Sequence, residues 1–316
     1  MSIKSKITLL KRWLYILIGK NRVAVKQGIG KVYSLNEIKG YYNDLTGKVN
    51  AETFVDEKDI PINVIEGGKK VYFPISIFQY ALGLYDLYLI NNDEEKKIHF
   101  LKLSNWALEN QYSDGSWNCF EAIGYRKMKV SAMGQGEGIS VLARAFQLTG
   151  EKKWLFAMEK AVSFMITEIQ QGGTLLIDGE NFILEEYPNL DGDKKSVLNG
   201  WIFALFGLYD YIKLNPNEQV QDIFDKSVKT LVKNINQYDT KYWSFYDQCG
   251  RLASPAYHDL HISLLKVLYE ITREEEFKEV AKLWEKYSHN RLYKIKAILV
   301  KIIQKLGDSP EGIVIK

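Results

Sequence analysis

Apolar and polar positions settle into a repeat from Pro74 onward. Helix-like stretches open near Pro74, Ala132, Lys194 and Ala256, roughly sixty residues apart. Their cores are almost continuously apolar, as in Phe78-Gln79-Tyr80-Ala81-Leu82, Ile139-Ser140-Val141-Leu142-Ala143 and Trp201-Ile202-Phe203-Ala204-Leu205, with Ile262-Ser263-Leu264-Leu265 in the fourth. Each is followed by a polar turn and a second, amphipathic stretch, near Glu94–Gln111, Glu151–Gln170, Glu218–Gln237 and Glu274–Tyr287. A helix apolar on every side belongs inside, and one with a single apolar stripe belongs outside it. One hairpin cannot bury its apolar face alone, so neighbours must stack. The pattern therefore predicts a mainly α protein, an (α/α) toroid of about four hairpins, with four inner helices ringed by four outer ones.

Short β segments punctuate one rim of this ring. Gly115-Ser116-Trp117, Gly173-Thr174-Leu175-Leu176 and Tyr242-Trp243-Ser244-Phe245, aromatic or β-branched, follow the second helices of the first three repeats, and Val71-Tyr72-Phe73 before Pro74 reads as a short strand. The organisation expected is a small N-terminal extension over residues 1–71, a toroid over 72–291 and a basic C-terminal helix and tail over 292–316. Both ends are basic and amphipathic. Lys4, Lys6, Lys11, Arg12 and Lys20 lie among Leu, Ile, Trp and Tyr, and Lys294, Lys296, Lys301 and Lys305 among Ile, Leu and Val. Such ends are candidates for peripheral contact with an anionic membrane surface, against the plainer expectation of helices docked on the body with solvated lysines. No signal peptide is evident, because Lys11 and Arg12 interrupt the apolar run. A cytoplasmic location is the expectation that follows.

Composition narrows the chemistry. The chain has 316 residues and a net charge of +3, too small to imply nucleic acid. Two cysteines and four histidines supply no disulfide framework and no convincing metal site, and His258 and His261 are the only close histidine pair. No cofactor or metal is expected. Aromatics are plentiful, with 20 Tyr and 7 Trp, and such side chains line sugar clefts because their faces stack on pyranose rings.

Three tyrosines occupy short polar segments instead of helical stripes: Tyr187 in Glu185-Glu186-Tyr187-Pro188, Tyr246 in Phe245-Tyr246-Asp247, and Tyr257 in Tyr257-His258. A phenol is a weak acid, with a pKa near 10, so it suits removal of a proton that is itself very weakly acidic. The proton α to a carboxylate, at C5 of a sugar uronate, is of that kind, and the enolate formed needs cations or hydrogen-bond donors. Asn199, Arg251, His258 and His261 are candidates for that task, with Glu186 beside the first tyrosine.

Taken in order, Tyr72-Phe73-Pro74 with Gln79-Tyr80, Ser131-Ala132-Met133-Gly134-Gln135-Gly136, Glu185-Glu186-Tyr187-Pro188, Ser196-Val197-Leu198-Asn199-Gly200, Tyr238-Asp239-Thr240, Tyr246-Asp247 and Tyr257-His258 with His261 resemble the C-terminal domain of the D-glucuronyl C5-epimerases. The resemblance implies an (α/α) barrel, a homodimer, a uronate-containing polysaccharide as substrate, and Tyr187, Tyr246, Tyr257 and Glu186 as catalytic residues. Asn199, Arg251, His258, His261, Gln135, Trp117, Arg126 and Tyr80 are its candidates for substrate binding. The arginine that the family places three residues after the tyrosine of the Tyr-Asp run is Cys249 here, with Arg251 two residues further on. Gln111-Tyr112-Ser113-Asp114-Gly115-Ser116-Trp117 resembles a turn-tightening run of terpene-cyclase toroids, without the acidic motifs that those enzymes need, since Asp191-Gly192-Asp193 alone is too weak. A polysaccharide lyase sharing the C5 deprotonation, and a non-catalytic glycan-binding homologue, are the alternatives. A glycoside hydrolase using two of Glu186, Asp239, Asp247 and Asp259 ranks below them.

Overall fold

A computed structural model describes residues 25–50, 53–65, 68–125, 129–189 and 195–307. The basic stretch 1–20, Arg126 and Asp191-Gly192-Asp193 lie outside the described residues. A short helix α1 (Thr46–Asn50) and a two-stranded ribbon, β1 (Asn63–Val64) with β2 (Lys70–Val71), precede four hairpins. The inner helices are α2 (Pro74–Asn91), α4 (Ala132–Thr149), α6 (Leu198–Leu214) and α8 (Pro255–Thr272). The outer ones are α3 (Glu94–Glu109), α5 (Lys152–Met165), α7 (Glu218–Asn234) and α9 (Glu275–His289), and α10 (Arg291–Gly307) follows. The toroid of about four hairpins is what the apolar repeat predicts.

Local chemistry sets the helix ends. Asp93 accepts from the amides of Glu95 and Lys96, Ser131 from Gly134, Asn217 from Val220 and Ser254 from Tyr257, which satisfies amide groups that a helix start leaves unpaired. The central inner helices α4 and α6 meet backbone to backbone. A Cβ on Gly136 would stand 2.4 Å from the Phe203 carbonyl oxygen, and one on Gly207 would stand 2.5 Å from Gly136 Cα. Inner helices can pack this closely only where side chains are missing.

The two ends of the ring are built differently. At the C-terminal ends of the inner helices, residues 33–42 close the ring with polar contacts to all four. The Tyr41 amide donates to Asp86 of α2 at 2.8 Å. Arg144 of α4 donates to the Gly40 carbonyl at 3.0 Å and pairs with Asp210 of α6 at 2.6 Å, and Asp210 also accepts from the Tyr42 hydroxyl at 2.7 Å. Tyr33 donates to Glu270 of α8. At the opposite end, the loops leaving the outer helices converge on the inner-helix N-termini. One of them is the hairpin of β3 (Leu175–Asp178) and β4 (Asn181–Leu184), and another is a ribbon held by the bridges Asp239–Ser244 and Phe245–Leu252.

Candidate active site

The β3–β4 hairpin delivers Glu185 and Glu186 to the N-terminal end of the ring. The Glu185 backbone is fixed on both sides: its amide donates to the Thr174 carbonyl at 3.0 Å and its carbonyl accepts from the Ala132 amide at 3.1 Å. Its side chain is buried and accepts from the Ser196 amide and hydroxyl at 3.0 Å each. That clamp holds Ser196 in a left-handed turn, φ 42°, immediately before α6. Beyond the end of β4 the chain bends at Glu186, whose side chain turns toward the ring. It lies against α6 at Gly200, where a Cβ would fall 2.3 Å from Glu186 Oε2. Only glycine leaves room for that carboxyl.

Glu186 is the centre of the tyrosine group. The Tyr246 hydroxyl donates to Glu186 Oε1 at 3.5 Å, and the Tyr187 hydroxyl is also within hydrogen-bonding reach of the carboxyl. Burial pushes Glu186 up to about 7, opposed by the hydrogen bond from Tyr187 and the charge of Arg251. Its Oε2 is buried without a partner among the described residues. Burial, and then the charge of Glu186, hold both Tyr187 and Tyr246 well above the usual phenol value, while a hydrogen bond from Tyr246 favours the Tyr187 phenolate. Tyr257, at the start of α8 and 40% exposed, meets Tyr246 edge to face at 5.0 Å. Tyr187 stacks on Phe120 at 4.6 Å.

Cations surround this group. Asp247 shapes the loop after Tyr246 by accepting from the amides of Cys249 and Arg251, both at 3.1 Å, and pairs with the Arg251 side chain. The Arg251 guanidinium then stands 5.3 Å from the Tyr246 ring centre, with its Nη2 buried and unpartnered among the described residues. Cys249 is exposed. The positive charge at this rim therefore comes from Arg251, two residues beyond the cysteine. Lys195 lies 5.0 Å over Tyr187 and Lys301 of α10 lies 5.9 Å over Tyr246. Neither lysine stood out in the sequence. Lys195 merely precedes the Ser196 run, and Lys301 sits among lysines expected to face solvent, whereas it is buried and donates to the Leu252 carbonyl at 2.5 Å.

The other sequence candidates are distributed differently. Asn199 lies at the start of α6, buried against Met133, with its Oδ1 unpartnered among the described residues. His258 and His261 are fully buried on the side of α8 that faces Trp284 of α9. Ser244 Oγ lies 2.8 Å from His258 Nδ1 and 3.2 Å from His261 Nδ1, and His258 Nε2 donates to the Trp284 carbonyl at 3.1 Å. Burial drives His258 down to about 4, and burial with the neighbouring His258 drives His261 to about 3, so neither supplies a positive charge at neutral pH. Trp117 is enclosed, donating its indole N–H to the Ala107 carbonyl at 2.8 Å. Gln135 joins the Gly115 and Ala161 carbonyls at 3.0 and 3.1 Å. Trp117 thus ties the α3–α4 turn to α3 and Gln135 ties it to α5, as the terpene-cyclase-like turn suggests. Tyr80 packs beside His99 on the outer side of α2.

Fold and site together define a class: an α/α toroid with phenols gathered round a buried carboxyl at the loop-bearing rim. The sequence profile described as D-glucuronyl C5-epimerase C-terminus matches residues 110–286. The chain belongs to that family. A D-glucuronyl C5-epimerase of Caenorhabditis elegans is 30% identical over 232 residues, covering 64% of this chain and 37% of the worm protein. An uncharacterised protein of Methanocaldococcus jannaschii is 25% identical over 157 residues, covering 48% of this chain and half of that one. The chain thus spans half or less of the length of these curated relatives. Among solved structures, a D-mannose isomerase shares the fold, with a TM-score of 0.51 at 12% identity, over 78% of this chain and 67% of that one.

Proposed function

We propose that this protein is a uronate C5-epimerase that converts D-glucuronate to L-iduronate within a polysaccharide or glycan. The observation that carries this reading is the contact set Tyr187–Glu186–Tyr246–Tyr257 with Arg251 beside it. A tyrosinate, Tyr187 or Tyr257, takes H5 from one face of the sugar: the C5–H bond breaks, an O–H bond forms, and the electron pair moves into the carboxylate. The dianion is stabilised by Arg251 and by the donors Tyr246 and Asn199. The other tyrosine delivers its proton to the opposite face of C5. Two groups on opposite faces are needed because a single base would return the proton to the side it left. One tyrosine ends protonated and the other ionised, and Glu186, bonded to two of the phenols, offers a route for the proton between them. No metal or cofactor enters this chemistry. A homodimer and a polymeric substrate belong to the same reading through the family.

The test is incubation with an unsulfated glucuronate polysaccharide in D₂O, following deuterium at C5 together with the ultraviolet absorbance of unsaturated uronate. Deuterium uptake with no rise in absorbance is the expected result. Rising absorbance would mean a lyase, and no change with several uronate polymers would sink the epimerase reading.

A further inference from the structure

We propose that α10 is a docking helix for an anionic lipid bilayer, a role separate from the tyrosine chemistry. One side of α10 is anchored to the body. Ala297 and Ile298 are buried, Lys301 donates to the Leu252 carbonyl, and Gln304 accepts from the Leu252 amide at 2.9 Å and donates to the Gly250 carbonyl at 2.9 Å. The other side carries Leu292, Ile295, Leu299, Ile303 and Leu306, which are 76, 47, 53, 70 and 40% exposed. These positions recur at intervals of three and four, so they form one stripe along the outer face. That stripe is continuous and aliphatic, unlike the singly scattered exposed apolar residues that need no explanation.

Charge selects the partner. Besides Lys301 on the anchored side, Arg291, Lys294, Lys296 and Lys305 lie on α10, and no Asp or Glu does. A second copy of the chain docked through the stripe would bring these cations against their own copies, because a two-fold contact pairs a surface with itself. The basic stretch 1–20 contains no Asp or Glu either, so it would be repelled in the same way. The partner must be anionic. It must also be nearly flat, because the anchored side leaves no room for a groove to wrap the helix. A bilayer with acidic headgroups meets both conditions: the aliphatic stripe enters the headgroup–acyl boundary, Arg291 reaches the phosphates, and Lys296, whose ammonium stands 3.9 Å from the Tyr242 ring centre, adds positive charge at the edge of the stripe. None of the described helices is long and apolar enough to cross a membrane, so α10 lies on the surface. Its inner side holds the Gly250–Leu252 strand end of the loop carrying Tyr246 and Arg251. Docking thus places that loop about 10 Å, one helix diameter, from the lipid.

The test is co-sedimentation of the full chain with vesicles of phosphatidylcholine alone and of phosphatidylcholine mixed with phosphatidylglycerol. The expected result is binding to the mixed vesicles only, weakened by added salt as surface charge is screened. A Leu299→Glu/Ile303→Glu variant should lose binding by about tenfold or more with an unchanged circular dichroism spectrum and Tm, since both side chains are mainly in solvent. An Arg291→Gln/Lys296→Gln variant, which keeps the stripe, should bind less than the unaltered chain and more than the double-Glu variant. The proposal is overturned if the unaltered chain stays in the supernatant with mixed vesicles, if the double-Glu variant binds as well as the unaltered chain, or if that variant instead converts a dimer to a monomer.

Discussion

Tyr187 and Tyr257 stand in different surroundings, and a two-base mechanism makes their losses distinguishable. Tyr187 is stacked on Phe120 beneath Lys195, whereas Tyr257 is open to solvent with its ring against Tyr246. Tyr187→Phe and Tyr257→Phe should each lower kcat by about a hundredfold or more while glycan affinity stays nearly constant. In D₂O with the glucuronate polymer, the variant that keeps the base on the glucuronate face should still wash out H5 without inversion, and the other should not. If neither variant loses turnover, the tyrosines are not the acid and base. Glu186 gives a second residue-level outcome. With its carboxyl raised to about 7 by burial, an ionised Glu186 able to accept a phenol proton appears as pH rises through 7. The pH profile of kcat/KM should therefore climb through that range, and Glu186→Gln should remove the limb. At this scale the tyrosines were legible because they sit in polar segments near carboxylates. The two histidines misdirect: His-x-x-His looks like a site in sequence, but i,i+3 spacing at the start of an apolar helix turns both rings toward Trp284 of α9, where Ser244 bridges them.

Elements were legible where the apolar period was strong. The outer helices end at Glu109, Met165 and Asn234, a few residues short of the amphipathic stretches that mark them, and after the last two the chain tightens into separate 3₁₀ turns at Ile169–Gln171 and Ile235–Tyr238. Of the rim segments, Gly173–Leu176 contributes to β3, the Tyr242–Phe245 run makes only isolated bridges, and Gly115-Ser116-Trp117 makes none, since Asp114 folds it into a turn by accepting from Ser116. Glycine contacts between helices leave no periodic signal in the sequence. They predict a separation of stability from activity. Gly136→Ala sets a methyl against the Phe203 carbonyl of α6, so it should cost about 1–3 kcal/mol, visible as a lower denaturation midpoint. Gly200→Ala strikes the Glu186 side chain instead, so it should reduce turnover more than its change in stability accounts for. Equal effects of the two on activity per folded molecule would contradict the placement of Glu186.

At the scale of the whole molecule, the toroid encloses acids between its inner helices, which sequence could not show. Residues 33–42, expected as part of an extension, join the ring through tyrosine hydroxyls, backbone carbonyls and Asp86, Arg144, Asp210 and Glu270, contacts that leave no hydrophobic period. The buried carboxyls make stability depend on pH. Burial raises Asp86, Glu185 and Glu186 to about 7, and Glu137 to about 8 against the opposing hydrogen bond from Gln79 and the charge of Lys48. Ordinary carboxyls titrate near 4, so between about 4.5 and 8 the folded chain holds protons that the unfolded chain has released, and stability falls as pH rises. His258 and His261 act in the opposite sense, since their folded values are depressed, but that contribution is complete above about 6.5, the ordinary histidine value. From pH 6.5 to 8 the acids alone set the slope. Tm should drop across this window, by the equivalent of about 1 kcal/mol for each acid titrating near 7. Glu185→Gln or Glu137→Gln should flatten the curve. A Tm that rises over the same window would mean that these carboxyls are already ionised at pH 6.5, and that cations compensate the burial.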